Sequence, residues 1–151
     1  MKRSARMEKI ANINKNFEQM AGLTFSAAQM EYQRQLDQLN QLKIYRNEYK
    51  DRYRDRLNTP IRKSEIHDFK FFFNSLEDAI VLQEKKVDEA LEQMDNFQMV
   101  WMDKKNEVTK ISKLAQHARD DELVDDLRQE SKELDEMNQT FFNHHRGNNH
   151  H

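Results

Sequence analysis

From Phe69 to Ala118, steps of four and three residues alternate without interruption: Phe69, Phe73, Leu76, Ile80, Gln83, Val87, Ala90, Met94, Phe97, Trp101, Lys104, Val108, Ile111, Ala115 and Ala118. Only Gln83 and Lys104 in this series are not apolar. A spacing averaging about 3.5 residues, held this long, keeps one stripe of an α-helix facing a partner helix and is the pattern of a coiled-coil seam. A coiled coil has little room for an enclosed pocket. The function of such a chain is therefore expected to lie in what its surfaces touch.

The rest of the composition agrees. The 151 residues are 36% hydrophobic and 34% charged, with two glycines and one proline, a balance that fits long helices with solvated faces rather than a thick core. A net charge of −2 gives no global attraction to nucleic acid or anionic membrane. No apolar run approaches the length of a bilayer span. The basic start Met1-Lys2-Arg3-Ser4-Ala5-Arg6 is not followed by the apolar core of a signal peptide. With no cysteine, disulfide scaffolds and zinc–thiolate sites are excluded. A soluble cytoplasmic protein is the expectation.

The single proline, Pro60, marks the break between two helices. Asn58 can end the first and Thr59 can cap the second with Pro60 in its first turn, Ser64 being the other candidate cap. Helix one is predicted over about residues 5–57, the turn over 58–64 and helix two over 64–142, forming a single domain over residues 1–143. At about 1.5 Å per residue the helices should be roughly 80 and 115 Å long. The seam of helix one reads Ile10, Ile13, Phe17, Met20 and Thr24, then Phe25, Ala28, Tyr32, Gln35, Leu39, Leu42, Arg46, Tyr49 and Tyr53. Its phase slips by one residue near Gly22, which is read as a weak point of the helix.

A short connection makes the helices antiparallel neighbours, with residue i opposite residue 122 − i, roughly. The stretch beyond about residue 120 then overhangs, yet its stripe of Leu123, Leu127, Leu134, Met137 and Phe141 is built to be covered. Antiparallel pairing also brings the basic start (Lys2, Arg3, Arg6, Lys9, Lys15) near the acidic residues 119–136.

Around the turn, Tyr45, Tyr49 and Tyr53 alternate with arginines and lysines, and Phe69, Phe71, Phe72, Phe73, Leu76, Ala79 and Ile80 make a stripe wider than a two-stranded seam requires. Phe72 and Tyr45 are expected to flank the seam as docking groups, with Phe73 and Ile80 in the core. Here a resemblance enters. Leu39-x-x-Leu42-x-x-Tyr45-Arg46-Asn47-Glu48-Tyr49 resembles the hallmark of the FliJ family, the chaperone-like stalk of flagellar type III export. Phe72-x3-Leu76-Glu77-x-Ala79-Ile80-x2-Gln83 and Trp101-x2-Lys104-Lys105, followed by Arg128-Gln129-Glu130-x-Lys132-x2-Asp135-Glu136, agree in kind, order and separation.

The resemblance implies an all-α fold, an antiparallel coiled-coil hairpin of two long helices similar to the rotor stalk of rotary ATPases. It implies a non-enzymatic protein, peripheral to the inner face of the cell membrane at the flagellar base. Its partners would be a hexameric export ATPase, the export-gate membrane protein and substrate-specific export chaperones. Carried over by motif, the gate-binding residues are Gln38, Leu42, Tyr45, Tyr49, Phe72, Leu76, Ala79 and Gln83. The ATPase-binding residues are Leu123, Leu127, Arg128, Leu134, Met137 and Phe141 on the overhang.

Enzyme chemistry is not expected. There is no phosphate-binding Gly-x4-Gly-Lys loop, no carboxylate pair is placed for acid–base work, and no cofactor, metal, nucleic acid or small-molecule substrate is implied. His67 and His117 are isolated. His144, His145, His150 and His151 belong to a His-rich tail, residues 144–151, expected to be disordered. The sequon Asn138-Gln139-Thr140 has no meaning in a cytoplasmic helix. Rival readings are the stalk of a virulence-type secretion system and a coiled-coil scaffold that self-assembles through the C-terminal stripe.

Overall fold

The computed structural model describes residues 2–148. Among these there is no strand, only α1 (Arg3–Arg56) and α2 (Lys63–Asn148), packed against each other as an antiparallel pair. α1 begins two residues before its expected start and ends one short of its expected end, whereas α2 outruns both of its expected limits. In particular, α2 does not stop at residue 142: residues 144–148, expected to be irregular, are helical, and the remaining residues of the tail, 149–151, lie outside the described residues.

The α2 seam is buried as its spacing predicts. Leu76, Ile80, Gln83, Val87, Ala90, Ala115 and Ala118 are buried, Phe97 is exposed at 37%, and the rest of the series is half-buried. Packing divides the chain into two compact units.

The turn unit spans Glu18–Asp103. Leu39, Ile80 and Val87 form its buried core, with Tyr32, Leu36 and Leu42 packed on them. Gln83 does not interrupt this core at the cost of an unmet polar group. Its amide donates to the Gln35 backbone carbonyl at 2.9 Å and to the Gln35 side-chain oxygen at 2.7 Å, so one seam layer is a closed polar pair. Glu31 completes the layer by accepting from Gln35 at 2.8 Å and from Arg34. The Arg34 and Gln35 donors hold the Glu31 carboxyl down at about 2.

The turn itself is closed by one arginine. Asn58 N–H donates to the Asp55 carbonyl and Thr59 N–H to the Arg56 carbonyl, tightening the last turn of α1. Thr59 is not the cap of α2. Its hydroxyl donates back to the Arg56 carbonyl at 2.8 Å, and Pro60 sits in the connection, outside both helices. The Arg56 guanidinium donates to Thr59 Oγ1 and to the Pro60 carbonyl, and it pairs with Glu65 across the turn at 3.2 Å. Neither proposed cap opens α2: the first bonds of that helix run from the Glu65 and Ile66 N–H groups to the Arg62 carbonyl.

The terminal unit holds the residues up to Phe17 and those from Lys104 on. Its seam differs from the expected one. Ile10, Ile13 and Phe17 are about half exposed, whereas Ser4 and Ala11 are buried and Asn14 is half-buried. Counting back from Phe25 in steps of four and three reaches Ala21, Glu18, Asn14, Ala11, Met7 and Ser4, so the phase does not slip near Gly22. The buried positions here are filled by the small residues Ser4, Ala11, Ala115 and Ala118, where side chains as large as Ile10 and Phe17 would hold two packed helices farther apart. Met20 and Thr24, also placed in the seam by sequence, are exposed in the turn unit.

The start of α1 has no acidic residue in its first turn to meet its free N–H groups. Glu122 of α2 supplies one. Its carboxylate accepts from the Ser4 N–H at 3.1 Å and from the Ser4 hydroxyl at 2.5 Å. These two bonds, with Lys2 nearby, hold the Glu122 carboxyl below its ordinary value. Lys2 pairs with Asp126 at 3.6 Å and Arg119 with Glu8, so basic and acidic stretches do meet here, through exposed groups.

Candidate docking surfaces

Near the turn, six rings form one connected set. Tyr53 stacks on Phe69 with centroids 3.5 Å apart, Phe69 meets Tyr49 and Phe73, Tyr49 meets Phe72 edge-on at 4.8 Å, and Phe72 meets Tyr45 edge-on at 6.3 Å. The set runs from half-buried rings at the seam to exposed rings at its flank. Tyr49 and Phe69 are half-buried, and burial, reinforced by Tyr45 and Asp68, raises the Tyr49 phenol above its ordinary value. Phe72 and Tyr45 are 38% and 41% exposed. Helical periodicity explains the difference. Residues at intervals of four drift around the helix, so Tyr49 faces α2 while Tyr45 stands to one side.

The eight residues carried over as gate-binding fall into two groups. Leu76 and Gln83 are buried in the seam, where they hold α1 and α2 together. Gln38, Tyr45 and Phe72 are exposed, and Leu42, Tyr49 and Ala79 are half-buried. Gln38, Leu42, Tyr45 and the edge of Gln83 line one shallow groove. Gln41, which the motif comparison did not single out, lines it too, and its only sequence signal is its place one turn from Gln38. Arg46, inside the motif, reaches across to Glu77 at 3.3 Å and fixes the two walls of this region.

The terminal unit carries the other surface. Every residue from Leu123 to Gly147 is exposed, because α1 begins at Arg3 and Lys2 reaches no farther along α2 than Asp126. Leu123, Leu127, Leu134, Met137 and Phe141 are all 55–68% exposed, and Arg128 is exposed beside them. Met137, Thr140 and Phe141 with Glu133, Glu136 and His144 border an open apolar patch on this single helix. A second stripe that sequence reasoning misassigned, Ile10, Ile13 and Phe17, is exposed on α1 of the same unit.

Among the described residues, no cluster of His, Asp or Glu is placed to hold a metal ion, and no helix is long and apolar enough to cross a membrane. What the chain offers is two side-chain surfaces, one aromatic and one aliphatic, on different units.

Comparison with curated proteins and with solved structures returned no match. Comparison with protein families returned a match over residues 2–147, to the family described as "Flagellar FliJ protein". That span takes in α1, the turn and nearly all of α2. The chain therefore belongs to the FliJ family, whose role is associated with flagellar protein export.

Proposed function

We propose that this protein is the non-enzymatic stalk of a flagellar export apparatus, cytoplasmic and peripheral to the membrane at the flagellar base. In this reading the overhanging part of α2, with Leu123, Leu127, Arg128, Leu134, Met137 and Phe141, docks in a hexameric export ATPase. The turn-unit groove, with Gln38, Leu42, Tyr45, Tyr49, Phe72 and Ala79, docks on the export-gate membrane protein. Leu76 and Gln83 act through the seam beneath that groove. Substrate-specific export chaperones would use the exposed faces. ATP hydrolysis belongs to the ring, and the chain transmits its state through contacts that differ between ring conformations.

The observation that carries this reading is the exposure of the whole α2 segment from Leu123 to Gly147, with its apolar stripe intact. A monomeric soluble protein seldom leaves so long a stripe without a partner. The family match favours the flagellar branch over the virulence-type one.

The test is capture by the cognate ATPase and by the soluble region of the gate, in parallel. Truncation after residue 120 should abolish ATPase capture and spare gate capture. Tyr45→Ala and Phe72→Ala should do the reverse with helicity unchanged. The opposite pattern would overturn the assignment.

A further inference from the structure

The two exposed stripes of the terminal unit are complementary to each other, but one chain cannot bring them together. On α1, Ile10, Ile13 and Phe17 are 48%, 53% and 51% exposed. On α2, Leu127 and Leu134 are 55% and 59% exposed. The overhang is one unbroken helix through Asn148, leading away from the α1 stripe of its own chain, so only another molecule can lay it there.

We infer that the overhang of one copy covers the α1 stripe of a second copy, and that the exchange is reciprocal, giving a closed dimer with two-fold symmetry. A two-fold axis across the helices reverses the partner's α2, so its overhang runs parallel to the α1 it covers. In that arrangement the spacings coincide. Leu127, Glu130 and Leu134 repeat in steps of three and four, as Ile10, Ile13 and Phe17 do. Placing Leu127 beside Ile10 sets Leu134 beside Phe17, the matched phase that parallel coiled coils require. Leu114, 47% exposed, falls on the same side of the α1–α2 seam as Ile10 and Phe17 and makes the other wall of the seat.

Charge selects the same register. With Leu127 beside Ile10, residues 120–126 of one copy lie along residues 3–9 of the other. The first segment holds Asp120, Asp121, Glu122, Asp125 and Asp126, of which Glu122 and Asp126 also meet Ser4 and Lys2 of their own chain, and the second holds Arg3, Arg6 and Lys9 against Glu8 alone. Sliding the overhang by a heptad either way loses this overlap. The dimer would cover the same overhang assigned above to the ATPase, so it would be a self-masked form that the ring must open. The inference itself depends only on the chain's two stripes.

The test uses the full chain alone, so its failure says nothing about ATPase capture. Sedimentation equilibrium at low micromolar concentration should give a monomer–dimer equilibrium that stops at the dimer. Phe17→Asp and Leu134→Asp, both at exposed positions, should each shift it to monomer and lose no more helical signal than the unclasped overhang accounts for. The chain has no cysteine, so register is tested directly. Ile10→Cys mixed with Leu127→Cys should form a disulfide-linked dimer under mild oxidation, and neither variant should do so by itself. A monomer at every concentration, an open-ended assembly, or self-crosslinking by Ile10→Cys as efficient as the mixed pair would overturn the inference.

Discussion

The indole nitrogen of Trp101 lies 2.9 Å from the point where a side chain on Gly22 would begin. The same N–H donates to Glu18 at 2.8 Å, and the ring stacks on Phe25 at 5.4 Å. Gly22 is thus the floor on which the only tryptophan of the chain lies. The contact is with a rigid ring held from two sides, not with the tip of a flexible chain.

Gly22→Ala should therefore destabilise. Helix propensity alone favours the alanine by about 1 kcal/mol. Overpacking against the indole costs about 1–3 kcal/mol and should win. Thermal unfolding should fall, and the emission of the single tryptophan should shift red as Glu18 loses its bond. A gain in stability would mean that the indole moves aside freely.

The Gln35–Gln83 layer should behave as a register device. Gln35→Leu strands one donor of a buried amide and should cost about 1–2 kcal/mol in urea unfolding. The double change Gln35→Leu with Gln83→Leu restores an apolar layer and should be at least as stable as the parent. The double variant should pair less selectively, seen as broadened spectra or added oligomers.

Tyr49 and Tyr45 should separate stability from docking. Tyr49 contacts Phe69, Phe72 and Tyr45, and its loss should cost about 2 kcal/mol. Tyr45, 41% exposed, should cost well under half of that when changed to alanine. Chemical denaturation of the two variants checks the difference and identifies Tyr45 as the cleaner probe of partner binding.

Acid should loosen the start of α1 first. The Glu122 carboxyl has its folded value below the ordinary 4.5, so its bonds to Ser4 stabilise the folded chain above that value. They are lost as pH falls through the lowered one. Amide exchange at residues 3–8 should accelerate in that window. Glu122→Gln should show the faster exchange already at neutral pH and lose the acid dependence.

Arg56→Ala removes the contacts to Thr59, Pro60 and Glu65 together. These groups are exposed, so global stability should drop by no more than about 1 kcal/mol. Exchange protection should be lost at residues 57–66 and retained in the ring cluster beyond them.

The hairpin was legible because its evidence in the sequence is periodic: a stripe from Phe69 to Ala118 and one proline between two helical patterns. The start of α1 misled for a physical reason. In the terminal unit the buried seam positions are Ser4, Ala11, Ala115 and Ala118, and hydrophobicity ranks these below Ile10, Ile13 and Phe17. Carrying the phase back from Phe25 would have found the seam. The largest side chains there mark the outer face. Gln83 was visible as an exception, but its satisfaction by Gln35 was not, because side-chain pairing across helices depends on register to within one residue. Burial near the turn was legible from the seam spacing, which put Leu76 inside and Phe72 and Tyr45 at its flank, as the structure has them; Gln41, beside them in the groove, carried no such signal.

The lone stretch of α2 past Asp126 has a thermodynamic consequence. With no neighbour to pack on, its winding rests on contacts within itself, such as Gln129 to Glu133, Thr140 to the Glu136 carbonyl and Phe141 against His145. A solitary segment of this length is only marginally helical in water. Whatever clasps it must first hold it wound, and part of the clasping free energy goes into that ordering. An alanine placed at Asn143, on the helix face opposite the stripe, should then tighten the grip by favouring the coil-to-helix step in advance.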